Sequence, residues 1–186
     1  MVIFNALQTS LSAGIGRYCY ELSKAIYSKH DIDFKIVIRE EDIQLYNFVK
    51  KTDLIIAKNI KNSKDRNYYE QFILPKQIHK KYPNAILHYP DTMAPIFYGN
   101  KVIITVHDLA FKSLKGAFTH KTTLWKNFIT NLSIKKADKI IAITQFSKDE
   151  IKKYYPKNFK KVIVVYNGFN DFSIENINLN NIGSVK

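Results

Sequence analysis

Short apolar runs rich in β-branched residues recur along the chain at Val2 to Leu7, Phe34 to Arg39, Leu54 to Ala57, Ala85 to Tyr89, Val102 to Val106, Lys139 to Ile143 and Val162 to Tyr166. They hold few internal charges, as strands covered on both faces do. Stretches with helical spacing of apolar residues lie between them. That alternation predicts an α/β domain whose mainly parallel sheet has about six to seven strands, with helices on both faces.

The first helix starts near Gly16 and presents Tyr18, Leu22, Ala25 and Ile26 along one stripe. Glu40 to Lys51 reads as a second helix, its leading acids suited to a positive N-terminus and its closing lysines to a negative end. Asn67 to Lys81 reads as helical, kinked or restarted at Pro75. Thr122 to Lys136 reads as an amphipathic helix containing Trp125, Phe128, Ile129 and Leu132. Ser147 and Glu150 fit a capping box at the start of a helix that Pro156 ends. Beyond the Asn167-Gly168 turn the periodicity stops, so residues 1–170 parse as one domain and 171–186 as a trailing linker.

A chain of 186 residues can bury a single substantial core, which agrees with one domain. The lone Cys19 excludes an intramolecular disulfide and a cysteine-rich zinc site. Together with an N-terminus lacking a basic leader and no apolar run long enough to span a bilayer, it points to a cytoplasmic protein. The formal net charge of +13 favours anionic partners such as acidic lipid headgroups or phosphorylated ligands, although lysines on solvated helix faces also account for such an excess.

Candidate chemistry collects where strands end. His107 and Asp108 close the apolar run Val102 to Val106, placing two ionisable groups where a strand gives way to a loop. His88-Tyr89-Pro90-Asp91 ends the preceding strand, so His88, Asp91, His107 and Asp108 line one crevice if those strands are neighbours. Gly14-Ile15-Gly16-Arg17 follows the first strand and opens the first helix, where glycines admit a ligand to the backbone and free amides attract phosphate. A third glycine at position 19 would complete a dinucleotide fingerprint, but Cys19 stands there, which weighs against a nicotinamide-dependent oxidoreductase. A basic nucleic-acid-binding module is the other alternative, and the chain lacks an RNP-type aromatic motif to support it. No His-x-x-His or Cys pair supplies a chelate, so no metal is expected.

Several motifs fall in one order: Gly14-Ile-Gly16-Arg17-Tyr18 with Glu21-Leu22; Glu70-Gln71 through Leu74-Pro75; His88-Tyr-Pro90 with Pro95; Thr105-Val-His107-Asp108-Leu109; Ala137-Asp138 through Thr144, with Phe146-Ser147-Lys148; and Tyr166-Asn-Gly168. The set resembles the N-terminal, acceptor-side domain of retaining glycosyltransferases with two Rossmann-like domains, the GT-B, family 4-like group that includes bacterial mannosyltransferases. The resemblance implies transfer of a hexose from a nucleotide sugar, GDP-mannose the first candidate, to a glycan or lipid-linked acceptor in surface polysaccharide synthesis. No cofactor or metal is implied. It places Gly14, Gly16 and Arg17 near the donor diphosphate and His107, with Asp108, at the transferred sugar. His88, Tyr89, Asp91 and Thr144 then form the acceptor cleft. It also implies an absent C-terminal donor-binding domain beyond residue 186 and a fragment inactive alone, while the basic charge and the Trp125 helix suit peripheral attachment to the inner face of the cell membrane.

Overall fold

The computed structural model describes residues 1–12, 14–113 and 119–168; the expected linker, residues 171–186, lies outside them, as does Ala13 of the glycine loop. Seven strands appear where the apolar runs predict them: β1 (Val2–Asn5), β2 (Phe34–Arg39), β3 (Leu54–Ala57), β4 (Ile86–Tyr89), β5 (Val102–Val106), β6 (Lys139–Ala142) and β7 (Val162–Val164). They form a single sheet in the order β3-β2-β1-β4-β5-β6-β7, and every neighbouring pair is parallel. The architecture is Rossmann-like. The order reverses at β1, which is flanked by β2 on one side and β4 on the other.

Alternation along the strands divides the interior into two cores. On one face Ile3, Val37, Leu87, Tyr89, Val102, Ile104, Val106, Ile140 and Ala142 pack with Leu74 and Ile78 of α3 (Leu74–Lys81), Ile134 of α5 (His120–Lys136) and Ile151 of α6 (Gln145–Tyr154). On the other, Phe4, Phe34, Ile36 and Ile38 pack with Cys19 of α1 (Gly14–Lys29) and with Tyr46 and Val49. Cys19 is fully buried and behaves as a small apolar residue, its thiol pushed well up by burial.

Four local expectations need correction. The residues of α1 fully buried against the sheet are Gly16, Cys19 and Ser23; Leu22 and Ile26 of the expected stripe pack beside them, partly buried, and Ala25 is exposed. The small buried residues let the helix approach closely. Residues 40–51 are not a helix but successive tight turns, beginning with a 3-10 turn at Glu40–Asp42. Arg39 there binds the Asp42 carboxylate through Nε at 2.7 Å and Nη2 at 3.0 Å, and Tyr46 and Phe48 stack edgewise on Tyr20. Ion pairing and aromatic packing thus outweigh a propensity worth no more than about 0.7 kcal/mol per residue.

The segment expected to kink at Pro75 comprises α2 (Ser63–Tyr68), a five-residue π turn (Tyr69–Ile73) and α3, with Pro75 in its first turn. The wide turn ends two residues before the proline, which cannot donate a helical amide, and it relieves the clash of the ring with the preceding turn. Finally, α5 is not amphipathic in the expected sense. Ile129 and Ile134 are buried, whereas Leu124, Trp125 and Phe128 are exposed.

A short helix after β5, α4 (Ala110–Ser113), has no counterpart in the sequence pattern. Depth in the sheet should govern stability. Ile104→Ala, at the centre of β5 with no exposure, is expected to lower the unfolding free energy by about 2–5 kcal/mol. Ile163→Ala, half exposed on the edge strand β7, should lower it by under about 1 kcal/mol in the same urea titration.

Candidate active-site cleft

The C-terminal ends of β1, β4, β5 and β6 meet at one edge of the sheet, and the polar groups predicted to carry chemistry gather there. β4 and β5 are neighbours, pairing Leu87 with Val102 and Tyr89 with Ile104, so the segments after them lie side by side. His107 Nε2 donates to the Pro90 carbonyl at 2.9 Å. That bond fixes the tautomer and leaves Nδ1 as the ring's open position. From the other side the ring of Tyr18 meets the imidazole edge-to-face at a centroid distance of 4.8 Å. His107 is therefore clamped between α1 and the loop after β4, half buried.

The loop carrying His107 is also held from beneath. Ser147 Oγ donates to the His107 carbonyl at 2.6 Å, and Leu109 N donates to Glu150 Oε2 at 3.1 Å. The two residues expected to form a capping box thus serve a different purpose. The cap of α6 is Thr144, whose hydroxyl accepts from Ser147 N at 3.0 Å, and that frees Ser147 and Glu150 to grip the neighbouring loop. Thr144 sits at the end of β6 as a cap, half buried. Asp108 is exposed and accepts from Ala110 N at 2.9 Å.

His88 and Tyr89 lie below this edge rather than on it. Their side chains point to opposite faces of the sheet and are 5% and 1% exposed, which leaves neither in contact with the open crevice. His88 Nε2 is 3.0 Å from Thr105 Oγ1, and its ring stands edge-on to Phe4. Burial depresses its pKa to about 4, so it stays neutral. Thr105 Oγ1 is in turn 3.3 Å from the Tyr18 hydroxyl, so the chain His88, Thr105, Tyr18 runs from the core up to His107. Tyr89 donates its hydroxyl to the Glu70 carbonyl at 3.2 Å.

At the switch point between β1 and β4, Gln8 donates to Asp91 Oδ2 at 3.1 Å, tying the two diverging loops together. Beneath them Asn5 Nδ2 donates to Glu70 Oε1 at 2.7 Å. Glu70 is 3% exposed, and burial raises its carboxyl pKa to about 7. Neither Asn5, Gln8 nor Arg66 is singled out by the sequence pattern, because their contacts join segments that are distant along the chain. Beside β1, residues 7–11 with Arg39, Asp42, Leu45 and Arg66 line an open pocket of about 370 Å³.

The two glycines of the first loop have different jobs. A Cβ on Gly16 would lie 2.5 Å from Ser10 N and 2.7 Å from Ser10 O, so this glycine is required for α1 to close on the preceding loop. Gly14 has open space around its Cα and is free to let a ligand approach. Arg17 is exposed and lies 3.9 Å from Glu21 on the same helix. Among the described residues no cluster of three or more His, Cys, Asp or Glu could hold a metal ion, and no helix is long and apolar enough to cross a membrane.

A model of Glycosyltransferase Family 4 matches residues 12–171, a span that contains the glycine loop, Asp91, His107 and Thr144. The chain belongs to this family. No curated protein matches it. Among solved structures, the Family 4 chain is similar to the UDP-GlcNAc 2-epimerase from Methanocaldococcus jannaschii, with a TM-score of 0.55 at 12% identity. The match covers 88% of this chain and 44% of that one. At that identity the likeness supports the fold alone, and this chain spans less than half of the other's length.

Two outcomes follow from the geometry. Gly16→Ala should destabilise the domain by about 1–3 kcal/mol through the clash with the Ser10 backbone, and Gly14→Ala should leave the melting midpoint within a degree or two. For Glu70, a folded pKa of about 7 against an ordinary 4.5 means the folded state holds the proton more tightly. Its contribution is thus fully present below about 4.5 and is lost as pH rises through about 7. Denaturant midpoints measured from pH 4.5 to 8 should fall across that window and flatten in Glu70→Gln.

Proposed function

We propose that this chain is the acceptor-side half of a retaining glycosyltransferase, moving a hexose from a nucleotide sugar to a glycan or lipid-linked acceptor in surface polysaccharide synthesis. The observation that carries the reading is the meeting of α1's N-terminus and the clamped His107 at one sheet edge in a Family 4 chain. In open parallel sheets, ligands bind outside the carboxyl ends of the strands, at the point where strand order reverses.

In this reading the open Nδ1 of His107 faces the sugar being transferred, where it accepts from a hydroxyl or, protonated, donates to one. Retention of its position matters more than its basicity, and Tyr18, Pro90, Ser147 and Glu150 all restrain it. The negative charge that develops on the departing diphosphate is met by the first amides of α1 beside Gly14 and by the nearby Arg17 guanidinium, preorganised dipoles and charge that need little rearrangement. Asp108, exposed on the same loop, is available to a sugar hydroxyl. Asp91 and Thr144 form the acceptor side of the crevice. No metal takes part.

A second domain, facing this rim and gripping the nucleotide, completes the site in the same proposal, with GDP-mannose as the first donor to try. The exposed Leu124, Trp125 and Phe128 on α5, on a chain of net charge +13, support peripheral contact with an anionic inner membrane face.

The test is transfer from radiolabelled GDP-mannose and other nucleotide hexoses to a membrane extract. The 186-residue chain alone is expected to give none, and supplying a donor-binding domain in the same protein should restore it. In the restored protein, His107→Ala should lower kcat about a hundredfold with little change in nucleotide affinity. Robust transfer by the isolated chain, or full activity of His107→Ala, would refute the arrangement.

A further inference from the structure

The pocket beside β1 adjoins the crevice through Gln8, which bonds Asp91, and its two guanidinium groups are in opposite situations. Arg39 is spent: it binds Asp42 through two nitrogens, pairs with Glu41, and donates from Nη2 to the Thr9 carbonyl at 3.0 Å. Arg66 is not. Among the described residues it makes one ion pair, 3.7 Å from Nε to Glu70 Oε2, which is too long for a hydrogen bond, and its buried Nε has no hydrogen-bond partner. A guanidinium carries five donors in a planar fork suited to phosphate or carboxylate. Its side chain is about four-fifths buried and lines a cavity of about 370 Å³.

The carboxyl beside it competes weakly. Glu70 takes its short hydrogen bond from Asn5 rather than from Arg66 and is itself enclosed. Burial holds it partly protonated near neutral pH, which weakens its hold on Arg66. The groups around Glu70 are Asn5 of β1, Arg66 of α2, Cys19 of α1, Tyr89 of β4 and Asp91 after β4, so Arg66 is the one cation among those neighbours.

We propose that Arg66 is the anchor of an anion subsite for the acceptor, and that the acceptor carries a phosphate group seated in the pocket between residues 7–11 and the Arg39–Asp42 pair. Gln8 and Ser10 line the same cavity with polar side chains suited to sugar hydroxyls. The assignment of this ligand as acceptor rests on the transferase reading above; the anion subsite does not. A phosphate borne by a lipid headgroup and one borne by a soluble sugar phosphate present the same chemistry to Arg66.

Binding distinguishes these without any transfer assay. The chain is titrated at about pH 6.5, where Glu70 is mostly protonated, with a hexose 1-phosphate, with the matching methyl hexoside, and with vesicles of phosphatidylglycerol or phosphatidylcholine. Amide shifts of residues 7–11 and 64–68 are followed by NMR. At least tenfold tighter binding of the phosphorylated sugar than of the methyl hexoside, lost in Arg66→Gln, supports a soluble acceptor phosphate. Arg66-dependent shifts with phosphatidylglycerol but not phosphatidylcholine support the lipid source.

Equal binding of sugar and sugar phosphate with no Arg66-dependent response to vesicles overturns the proposal, as does binding that Arg66→Gln leaves unchanged. Should Arg66→Gln misfold, Glu70→Gln gives an independent reading. Removing the competing carboxylate is expected to tighten phosphate binding at pH 8 at least threefold, and an unchanged affinity in that variant counts against the site. Failure of transfer with intact Arg66-dependent anion binding would remove the transferase reading and leave the subsite standing.

Discussion

The pairing of β1 with β4 is the constraint on which the rest depends. Three of the chain's connections run outward from β1 toward β3 and return to lay β4 on its other side, so the segments leaving β1 and β4 diverge at the top of the sheet. That divergence opens the floor on which Asn5, Gln8, Glu70 and Asp91 meet, and it brings α1 against the end of β5. Had β4 paired elsewhere, Tyr18 could not reach both Thr105 and His107.

The strands were legible because each is short, apolar and rich in β-branched residues, and burial on both sides leaves little else such a run can be. Their ends were legible for a related reason: His107 and Asp91 interrupt apolar runs, and parallel strands share one edge. What escaped is long-range. Ser147 and Glu150 satisfy a local capping pattern, yet Thr144 takes the cap and they are drawn to a loop some 40 residues earlier. His88 has the same sequence context as a site histidine, and only the side of the strand on which it stands puts it inside the core against Phe4. The acids of residues 40–42 suggested a helix because nothing local reveals that Arg39 will take them.

The site is built in two tiers with different rigidity. The upper tier, His107 and the loop around it, is restrained by backbone-directed hydrogen bonds from β4 and α6, which change little with pH or salt. The lower tier contains a carboxyl poised near neutrality and a guanidinium held loosely beside it, and interior charge of this kind responds strongly to whatever enters next to it. The sheet edge thus combines a fixed reference point with an adjustable electrostatic floor.

The π turn at Tyr69–Ile73 has a bearing on how related chains should be aligned. An α-helix advances about 100° per residue, so a turn widened by one residue rotates everything after it by about that angle. Tyr69 and Glu70 within the turn and Leu74 and Ile78 after it are buried, and Tyr68 and Phe72 are exposed. A single helical wheel drawn through residues 63–81 would hide the turn, because Glu70, Leu74 and Ile78 then fall within about 80° of one another. A relative lacking that extra residue would place its counterparts of Glu70 and Ile78 seven residues apart on a continuous helix, within about 20° of one another, and so would keep both the core of α3 and the carboxyl under the cleft.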